Sequence, residues 1–125
     1  MAPQKFTKDQ RLRKPYEFRR FLKSKFIRAE SDFLFAKILP NPLEINRLGF
    51  TIPKKKIKLS YSRNLIKRML RELFRTEHLK YSGYDIVITP KNRNYKFDRL
   101  ELRNDCLKLW NRVNLQLSRY VINDC

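Results

Sequence analysis

The chain contains very little glycine, histidine or cysteine, and each shortage excludes a class of functional site. Gly49 and Gly83 are its only glycines, which excludes a glycine-rich phosphate-binding loop. His78 is its only histidine, which excludes triads and metal sites built on several histidines. Cys106 and Cys125 cannot supply the four closely spaced ligands of a zinc site. We therefore expect neither catalytic residues nor metal ligands on this chain.

Long apolar runs are also missing. No run approaches the roughly 18 to 20 apolar residues that a membrane-spanning helix requires. The first ten residues, MAPQKFTKDQ, lack the apolar central region of a secretory signal, and they are not the Arg-rich amphipathic start of a mitochondrial one. These absences predict a cytoplasmic protein.

Acidic residues are the last scarce class. The chain has 12 Asp and Glu against 30 Lys and Arg, which gives a formal net charge of +18. Such a surface repels itself and attracts RNA, DNA or anionic lipid through Coulomb steering and counterion release. With 125 residues, of which 42% are apolar, the chain is long and apolar enough for one compact domain.

Hydrophobic periodicity predicts one domain at residues 14–120, between a flexible basic lead-in at 1–13 and a tail at 121–125. The predicted elements are a short helix at 14–25, extended chain at 26–39, a strand at 47–53, a basic helix with Ser60 or Ser62 as N-cap, an apolar strand at 84–90 and a last helix opened by Asp98. Apolar strands on both sides of the basic helix favour a crossover between parallel strands. The expected order is a helix, two or three strands, the basic helix, a strand and a helix, which is αβββαβα with three strands. An α/β (α+β) two-layer sandwich is the architecture that follows.

The basic helix, within KKKIKLSYSRNLIKRMLREL at 54–73, concentrates the positive charge. Between Lys54 and Arg75 stand nine Lys or Arg and one acid, Glu72, so ion pairs within the helix cannot relieve the repulsion. An apolar stripe is expected to face the core, made of Ile66, Met69, Leu70, Leu73 and Phe74. A row of cations is expected beside it, made of Arg63, Lys67, Arg71 and Arg75, with Arg68 just beyond.

The arginines and the use of the apolar stripe favour a nucleic acid as the partner of this helix. Arginine matches phosphate and stacks on bases better than lysine does. A membrane-binding helix would need its apolar face free to insert, whereas a domain this small needs that face for its core. A merely solvated basic surface is the alternative interpretation.

The segment LGFTIPKKKIKLSYSRNLIKRMLRELFR, at residues 48–75, resembles the signature segment of the bacterial ribonuclease P protein family. In that family a G-x-S-V-like strand leads into Lys-Lys, a short loop and then Arg-Asn-Arg-x-Lys-Arg-x-x-Arg-Glu. RLRKPYEFRRFL at 11–22 resembles the family's opening helix, and DIVITPK at 85–91 resembles its late strand. The resemblance extends over about residues 10–115.

The resemblance implies a subunit of a ribonucleoprotein endonuclease that frees the 5′ leader from precursor tRNA. The large RNA subunit, with bound Mg²⁺, would hydrolyse the phosphodiester, and the protein would be an accessory subunit. Its implied partners are ribonuclease P RNA and the precursor tRNA leader, with no membrane and no small-molecule substrate. The family fold is the sandwich predicted above with a left-handed βαβ crossover, whereas pattern reasoning alone favours a right-handed one.

The same resemblance assigns candidate contacts to the RNA subunit. The residues that match the lysine pair, its loop and the helix motif are Lys54, Lys55, Lys56, Arg63, Asn64, Lys67, Arg68 and Arg71. Leu65 stands where the family usually has arginine. One RNA contact is therefore expected to be missing, or to be supplied by Lys56 or Lys58.

The family's leader cleft lies between the first helix and the sheet and uses aromatic residues. The candidates here are Phe18, Phe21, Phe33 and Phe35, and strand alternation places Phe33 and Phe35 on one face. Stacking on an aromatic ring tolerates any base, which suits leaders of variable sequence. Core packing is the alternative role for Phe18 and Phe33.

Three other functions compete with this interpretation. A structural RNA-binding protein of the ribosomal type would share the charge and the helix. A helix-turn-helix DNA binder with its recognition helix at 60–77 would need a packed helix immediately upstream, where residues 45–53 indicate a strand. A stand-alone ribonuclease would have few side chains for acid–base or metal-assisted hydrolysis.

Overall fold

The computed structural model describes residues 8–77, 79–91 and 98–123, so residues 1–7, His78, residues 92–97, Asp124 and Cys125 lie outside the described ranges. The elements in chain order are a 3-10 turn at Lys8–Gln10, α1 at Pro15–Lys23, β1 at Ile27–Glu30, β2 at Leu34–Pro40, β3 at Arg47–Phe50, α2 at Ser60–Thr76, β4 at Tyr84–Pro90 and α3 at Arg99–Asn123. This order confirms the predicted α+β fold. Within the described ranges, no helix combines the length and the apolar character that crossing a bilayer requires.

The four strands form one mixed sheet in the order β1-β2-β4-β3. β2 pairs antiparallel with both β1 and β4. β3 and β4 are parallel neighbours, with Arg47 opposite Asp85 and Phe50 opposite Ile88. Since α2 connects these two strands, the predicted crossover between parallel strands is confirmed, and its left hand stays a prediction from the resemblance.

The two faces of the sheet carry different apolar clusters. One face packs under α2 and α3, and the largest fully buried side chains there are Leu34, Ile38, Leu48, Ile66, Leu70, Ile86, Ile88, Leu109 and Leu117. Each such side chain contributes about 1.5–3 kcal/mol on burial, so packing rather than intrinsic propensity holds the two helices. The other face carries a smaller cluster in which Phe21 of α1 packs with Leu12, Leu39 and Val87.

The segment predicted as a flexible lead-in packs on β3 from residue 8 onward. Arg11 forms an isolated parallel bridge with Leu48, and the Leu12 N–H donates to the Leu48 carbonyl at 2.9 Å. Leu12 is only 5% exposed, and a Cβ at Gly49 would lie 2.6 Å from the Leu12 Cβ. Glycine is therefore needed at position 49 because the segment approaches β3 so closely. At the other end, α3 continues to Asn123, past the predicted boundary at 120.

The predicted N-cap of α2 is wrong. The helix begins at Ser60, so Leu59 occupies the cap position, and it makes no side-chain capping hydrogen bond. The Arg63 N–H donates to the Leu59 carbonyl at 3.1 Å as part of the first turn. The element before the loop is β3, which excludes the upstream helix of a helix-turn-helix motif.

A turn divides the extended segment at 26–39 into β1 and β2, and a buried carboxylate on α3 holds that turn. Asp105 accepts hydrogen bonds from the Ser31 hydroxyl at 2.6 Å, the Asp32 N–H at 2.9 Å and the Phe33 N–H at 3.1 Å. Phe33 consequently lies before the strand and packs with the larger cluster. The prediction that Phe33 and Phe35 share one face is therefore wrong.

Candidate RNA-binding surfaces

The outer side of α2 brings several of the predicted RNA contacts together. Leu65, Ile66, Leu70 and Phe74 are the buried residues of this helix, whereas Asn64, Arg68 and Arg71 are exposed. A shallow pocket of about 400 Å³ is lined by Asn64, Arg68, Arg71, Glu72 and Arg75. We call the exposed and half-buried polar residues on this side and in the preceding loop the basic ridge: Lys54, Lys55, Asn64, Lys67, Arg68 and Arg71.

Arg71 links the basic ridge to the edge of the sheet. Its guanidinium carbon lies 5.4 Å from the centre of the Phe50 ring on β3. Partial burial and the nearby charge of Arg11 both lower the pKa of Arg71 below its ordinary value. Like charges repel, and a phosphate bound near Arg71 would relieve that repulsion. Arg11 thus belongs to this surface, although no sequence pattern singled it out.

Two of the predicted RNA contacts also hold the loop before α2. The Arg63 Nη1 group donates to the carbonyls of Ile57 and Lys58, each at 2.8 Å. The Lys56 Nζ group donates to the Pro90 carbonyl at 3.0 Å, at the end of β4. Lys54 and Lys55 of the same loop are exposed. Arg63 and Lys56 therefore support the loop from which Lys54 and Lys55 project.

Leu65 is a core residue in this chain. It is only 7% exposed and belongs to the larger cluster. Its side chain also lines a groove of about 830 Å³ between α2 and α3, together with Arg68 and Arg103. An arginine here would have to reach water through that groove. Position 65, where this chain has leucine and the family usually has arginine, is therefore a buried position in this structure.

The second candidate surface is the side of the sheet that faces α1, and we call it the aromatic face. The ring centroids of Phe21 and Phe26 are 6.5 Å apart, and those of Phe26 and Phe35 are 6.3 Å apart. The Arg28 guanidinium lies 4.3 Å from the centre of the Phe35 ring. The Lys37 Nζ atom lies 5.2 Å from the Phe26 ring centre and 5.6 Å from that of Phe35. Rings flanked by cations suit an unpaired, charged nucleic acid strand.

The structure places three of the four predicted aromatic residues on this face. Phe21 is buried, Phe35 is half-buried, and half-buried Phe18 packs beside them. Phe33 packs in the other cluster, beside α3. The sequence prediction missed Phe26, which also belongs to this face. Phe26 lies two residues before Arg28 in the extended segment, and residues at this spacing share one face of a strand.

A buried ion network fastens α1 above the aromatic face. Asp85 of β4 is fully buried and accepts hydrogen bonds from Arg47 Nε and Nη2, each at 2.7 Å. It also pairs with Arg20 of α1 and accepts from Asn41 Nδ2 at 2.8 Å. Arg47 Nη1 bonds Glu17 of α1 at 2.7 Å. The helix is therefore oriented over the sheet by charge-assisted hydrogen bonds at one end of the face.

The pKa values of the network follow from these contacts. Burial acts to raise the pKa of the Glu17 carboxyl, but the backbone N–H groups of Lys14 and Arg13 and the charge of Arg47 lower it below its ordinary value. The hydrogen bond to Asp85 raises the pKa of Arg47, against the opposing effect of burial. Both shifts favour the charged forms that tie α1 to the sheet.

Neither surface carries groups suited to bond breaking. Among the residues that the structure describes, no group of three or more His, Cys, Asp or Glu is placed to hold a metal ion. Burial raises the pKa of the Cys106 thiol to about 12, and the charge of Asp105 adds to this effect, so this thiol is not a nucleophile at neutral pH. The arrangement fits binding of a polyanion.

The chain matches known proteins over most of its length. The family model described as Ribonuclease P matches residues 6–114. The ribonuclease P protein component of Stutzerimonas stutzeri is 36% identical over 109 residues, covering 87% of this chain and 83% of the relative. That of Haemophilus influenzae is 35% identical over 112 residues, covering 90% of this chain and 93% of the relative.

Solved structures share the fold. A 2.0 Å structure of the Staphylococcus aureus RNase P protein has a TM-score of 0.72 at 22% identity, covering 86% of this chain and 97% of that one. The RNase P protein from Thermotoga maritima has a TM-score of 0.56 at 24% identity, covering 88% of this chain and 93% of that one.

Proposed function

The chain belongs to the ribonuclease P protein family and is the accessory protein subunit of this ribonucleoprotein endoribonuclease in tRNA 5′ processing; we propose that its two surfaces divide the work. The basic ridge binds the RNA subunit, and the aromatic face binds the 5′ leader of precursor tRNA. With the family established, the structural RNA-binding, DNA-binding and stand-alone ribonuclease alternatives fall away.

The pocket of Asn64, Arg68 and Arg71 is the observation that carries the contact with the RNA subunit. These side chains share one exposed side of α2 and one pocket, and the nearby charge of Arg11 adds to the positive potential there. Folded RNA supplies phosphates at the density that such a ridge can neutralise. Arg63 and Lys56 contribute to this contact mainly by shaping the loop.

Cation-flanked rings support the leader contact. Phe35 and Phe26 are half-buried, so parts of their rings remain accessible, and Arg28 and Lys37 stand over them. Base stacking of about 1–3 kcal/mol per base is independent of sequence, while the two cations attract the phosphates of the leader. Phe18 and Phe21 line the α1 side of the same face.

The polypeptide binds and orients RNA, and the RNA subunit performs the hydrolysis. We propose that Mg²⁺ is bound mainly by that subunit, because Mg²⁺ prefers phosphate oxygens and water to a cage of protein ligands. The few acidic residues described near the two surfaces are committed to ion pairs, as Glu17 and Asp85 are with Arg47. We place this assembly in the cytoplasm.

Reconstitution with a bacterial ribonuclease P RNA at near-physiological Mg²⁺ tests the division of labour. We expect precursor tRNA to be cleaved efficiently only when both components are present, and the chain alone to cut nothing. Cleavage by the protein without RNA would contradict the proposal.

Variants of the same assay test the basic ridge. Lys67→Ala with Arg68→Ala is expected to weaken holoenzyme activity at low Mg²⁺. Lys80→Ala with Arg103→Ala is the matched control, because it removes the same charge from two exposed positions outside the ridge. Equal loss in both double variants would show that net charge, and not the ridge, is responsible.

A further inference from the structure

The β1 edge of the sheet carries a second basic pocket. Its volume is about 460 Å³, and it is lined by Arg28, Ala29 and Glu30 of β1 and by Arg112, Leu115, Gln116 and Arg119 of α3. Neither the sequence motifs nor the two surfaces described above account for it. We propose that this pocket binds phosphates of single-stranded RNA upstream of the leader segment on the aromatic face, so that longer leaders bind more tightly. This inference rests on the proposed leader contact.

Arg28 makes the pocket continuous with the aromatic face. Its guanidinium lies 4.3 Å from the centre of the Phe35 ring on that face, and the same side chain lines the pocket. In the register of the sheet Arg28 pairs with Lys37, and Glu30 pairs with Phe35. Glu30, which lines the pocket, therefore lies directly across from Phe35 on the neighbouring strand. RNA that contacts Phe35 is adjacent to the pocket.

The order of the strands defines the path that the leader would follow across the sheet. α2, which carries the basic ridge, packs beside β3, while α3 packs on the same face over β1 and β2, toward the opposite edge of the sheet. Four strands span only about 14 Å across their hydrogen-bonding direction. A leader that starts beside the ridge and crosses the aromatic face reaches the β1 edge after a few nucleotides.

The cations of the pocket are available for phosphate. Within the described ranges, Arg119 is exposed and forms no hydrogen bond or ion pair. Arg112 uses Nη1 to donate to the Glu30 carbonyl at 2.7 Å, which leaves its other N–H groups free to reach a ligand. Arginine suits this role because its planar fork matches two phosphate oxygens.

The one acid in the pocket is already compensated. Glu30 pairs with Lys91 at 3.2 Å and with Arg28 at 3.0 Å. The hydrogen bond and charge of Lys91 and the charge of Arg28 hold the pKa of Glu30 below its ordinary value. Its negative charge is therefore shared by two cations and does not cancel Arg112 and Arg119.

The experiment compares two leader lengths on the reconstituted holoenzyme. Precursors with leaders of about 4 and about 16 nucleotides, the lower and upper site sizes of single-strand-binding OB folds, are titrated at several salt concentrations. The longer leader is expected to bind more tightly and with a steeper salt dependence. Arg112→Ala with Arg119→Ala should reduce that difference in log–log slope by about 1.4, at about 0.7 per lost phosphate contact. Over a fourfold change in salt this slope corresponds to about sevenfold in affinity.

Two further variants make the result specific. Arg119→Ala alone should reduce the difference in slope about half as much as the double substitution does, and it leaves the Arg112 contact with β1 intact. Arg103→Ala, at an equally exposed position on the same helix but in the groove beside α2, should leave the difference between leaders unchanged. An equal loss with Arg103→Ala would overturn the proposal.

The two proposals fail in different ways. If the β1 edge does not bind RNA, one of two results is expected. Either the longer leader keeps its advantage in affinity in Arg119→Ala and in Arg112→Ala with Arg119→Ala, or the unsubstituted protein shows no such advantage. If the aromatic face does not bind the leader, Phe35→Leu leaves binding of the short leader unchanged, and both proposals are then overturned. The inference stands if Phe35→Leu weakens both leaders while the Arg112 and Arg119 substitutions weaken only the longer one.

Discussion

The leader contact makes its sharpest prediction at Phe35 and Phe33, which lie two residues apart but on different surfaces. Phe35 is half-buried, lies 6.3 Å from the Phe26 ring and carries Arg28 over its own ring. Phe33 packs with the larger cluster beside α3. Substituting each with leucine keeps an apolar side chain and removes the aromatic ring.

The expected size of the effect follows from stacking. Loss of one stacked base costs about 1–3 kcal/mol, and about 1.4 kcal/mol corresponds to tenfold in affinity. Phe35→Leu should therefore weaken binding of precursor tRNA by about 5- to 150-fold. Phe33→Leu should lower the free energy of unfolding with little change in this affinity.

Mature tRNA, which lacks the leader, provides the control. Holoenzymes carrying each variant are titrated with precursor and with mature tRNA, and the ratio of the two affinities is compared. Phe35→Leu should lower that ratio, whereas Phe33→Leu should not. A reduced ratio for Phe33→Leu with an unchanged ratio for Phe35→Leu would refute the assignment of the aromatic face.

Three further predictions concern the ridge, the core and the ion network. Arg63→Ala should lower the melting temperature in a thermal scan, because it frees the loop before α2, whereas Arg68→Ala should weaken RNA binding without that shift; equal melting temperatures would contradict the loop role. Leu65→Arg should cost about 1.5–3 kcal/mol in urea unfolding, from lost burial of leucine, and an unchanged midpoint would show that position 65 is a surface site. Because the pKa of Glu17 is lowered in the folded state, its stabilising contribution is present above its unfolded pKa and is lost as the pH falls through the folded value. The stability advantage of the unsubstituted protein over Glu17→Gln should therefore shrink below about pH 4.5, the ordinary glutamate value, and a constant difference in unfolding free energy from pH 3 to 7 would contradict this.

Local patterns predicted the elements and the parallel crossover because each depends on residues close in the sequence. The stripe of Ile66, Leu70 and Phe74 repeats with the helical period, and the apolar run of β4 indicates a strand covered on both sides. Leu65 was not part of the predicted stripe, and it is buried because α3 packs against α2 and extends the core over this position.

Contacts between distant residues could not be read from such patterns. Asp105 holds a turn more than 70 positions earlier in the chain, and this contact moves Phe33 out of the aromatic face. Asp85 is the one acid in a strand that is otherwise apolar except for Thr89, which is a signal of a buried partner. The identity of that partner, Arg47, depends on the register of β3 against β4.

The central claim is that the basic ridge neutralises phosphates of the RNA subunit. The most direct test is the equilibrium affinity of the chain for that RNA, measured against salt for the unsubstituted protein, Arg68→Ala with Arg71→Ala, and Lys80→Ala with Arg103→Ala. The account predicts that the ridge variant loses about 1.4–1.8 in log–log slope, at about 0.7–0.9 per phosphate, while the control variant retains the original slope. An unchanged slope and affinity in the ridge variant would contradict the account.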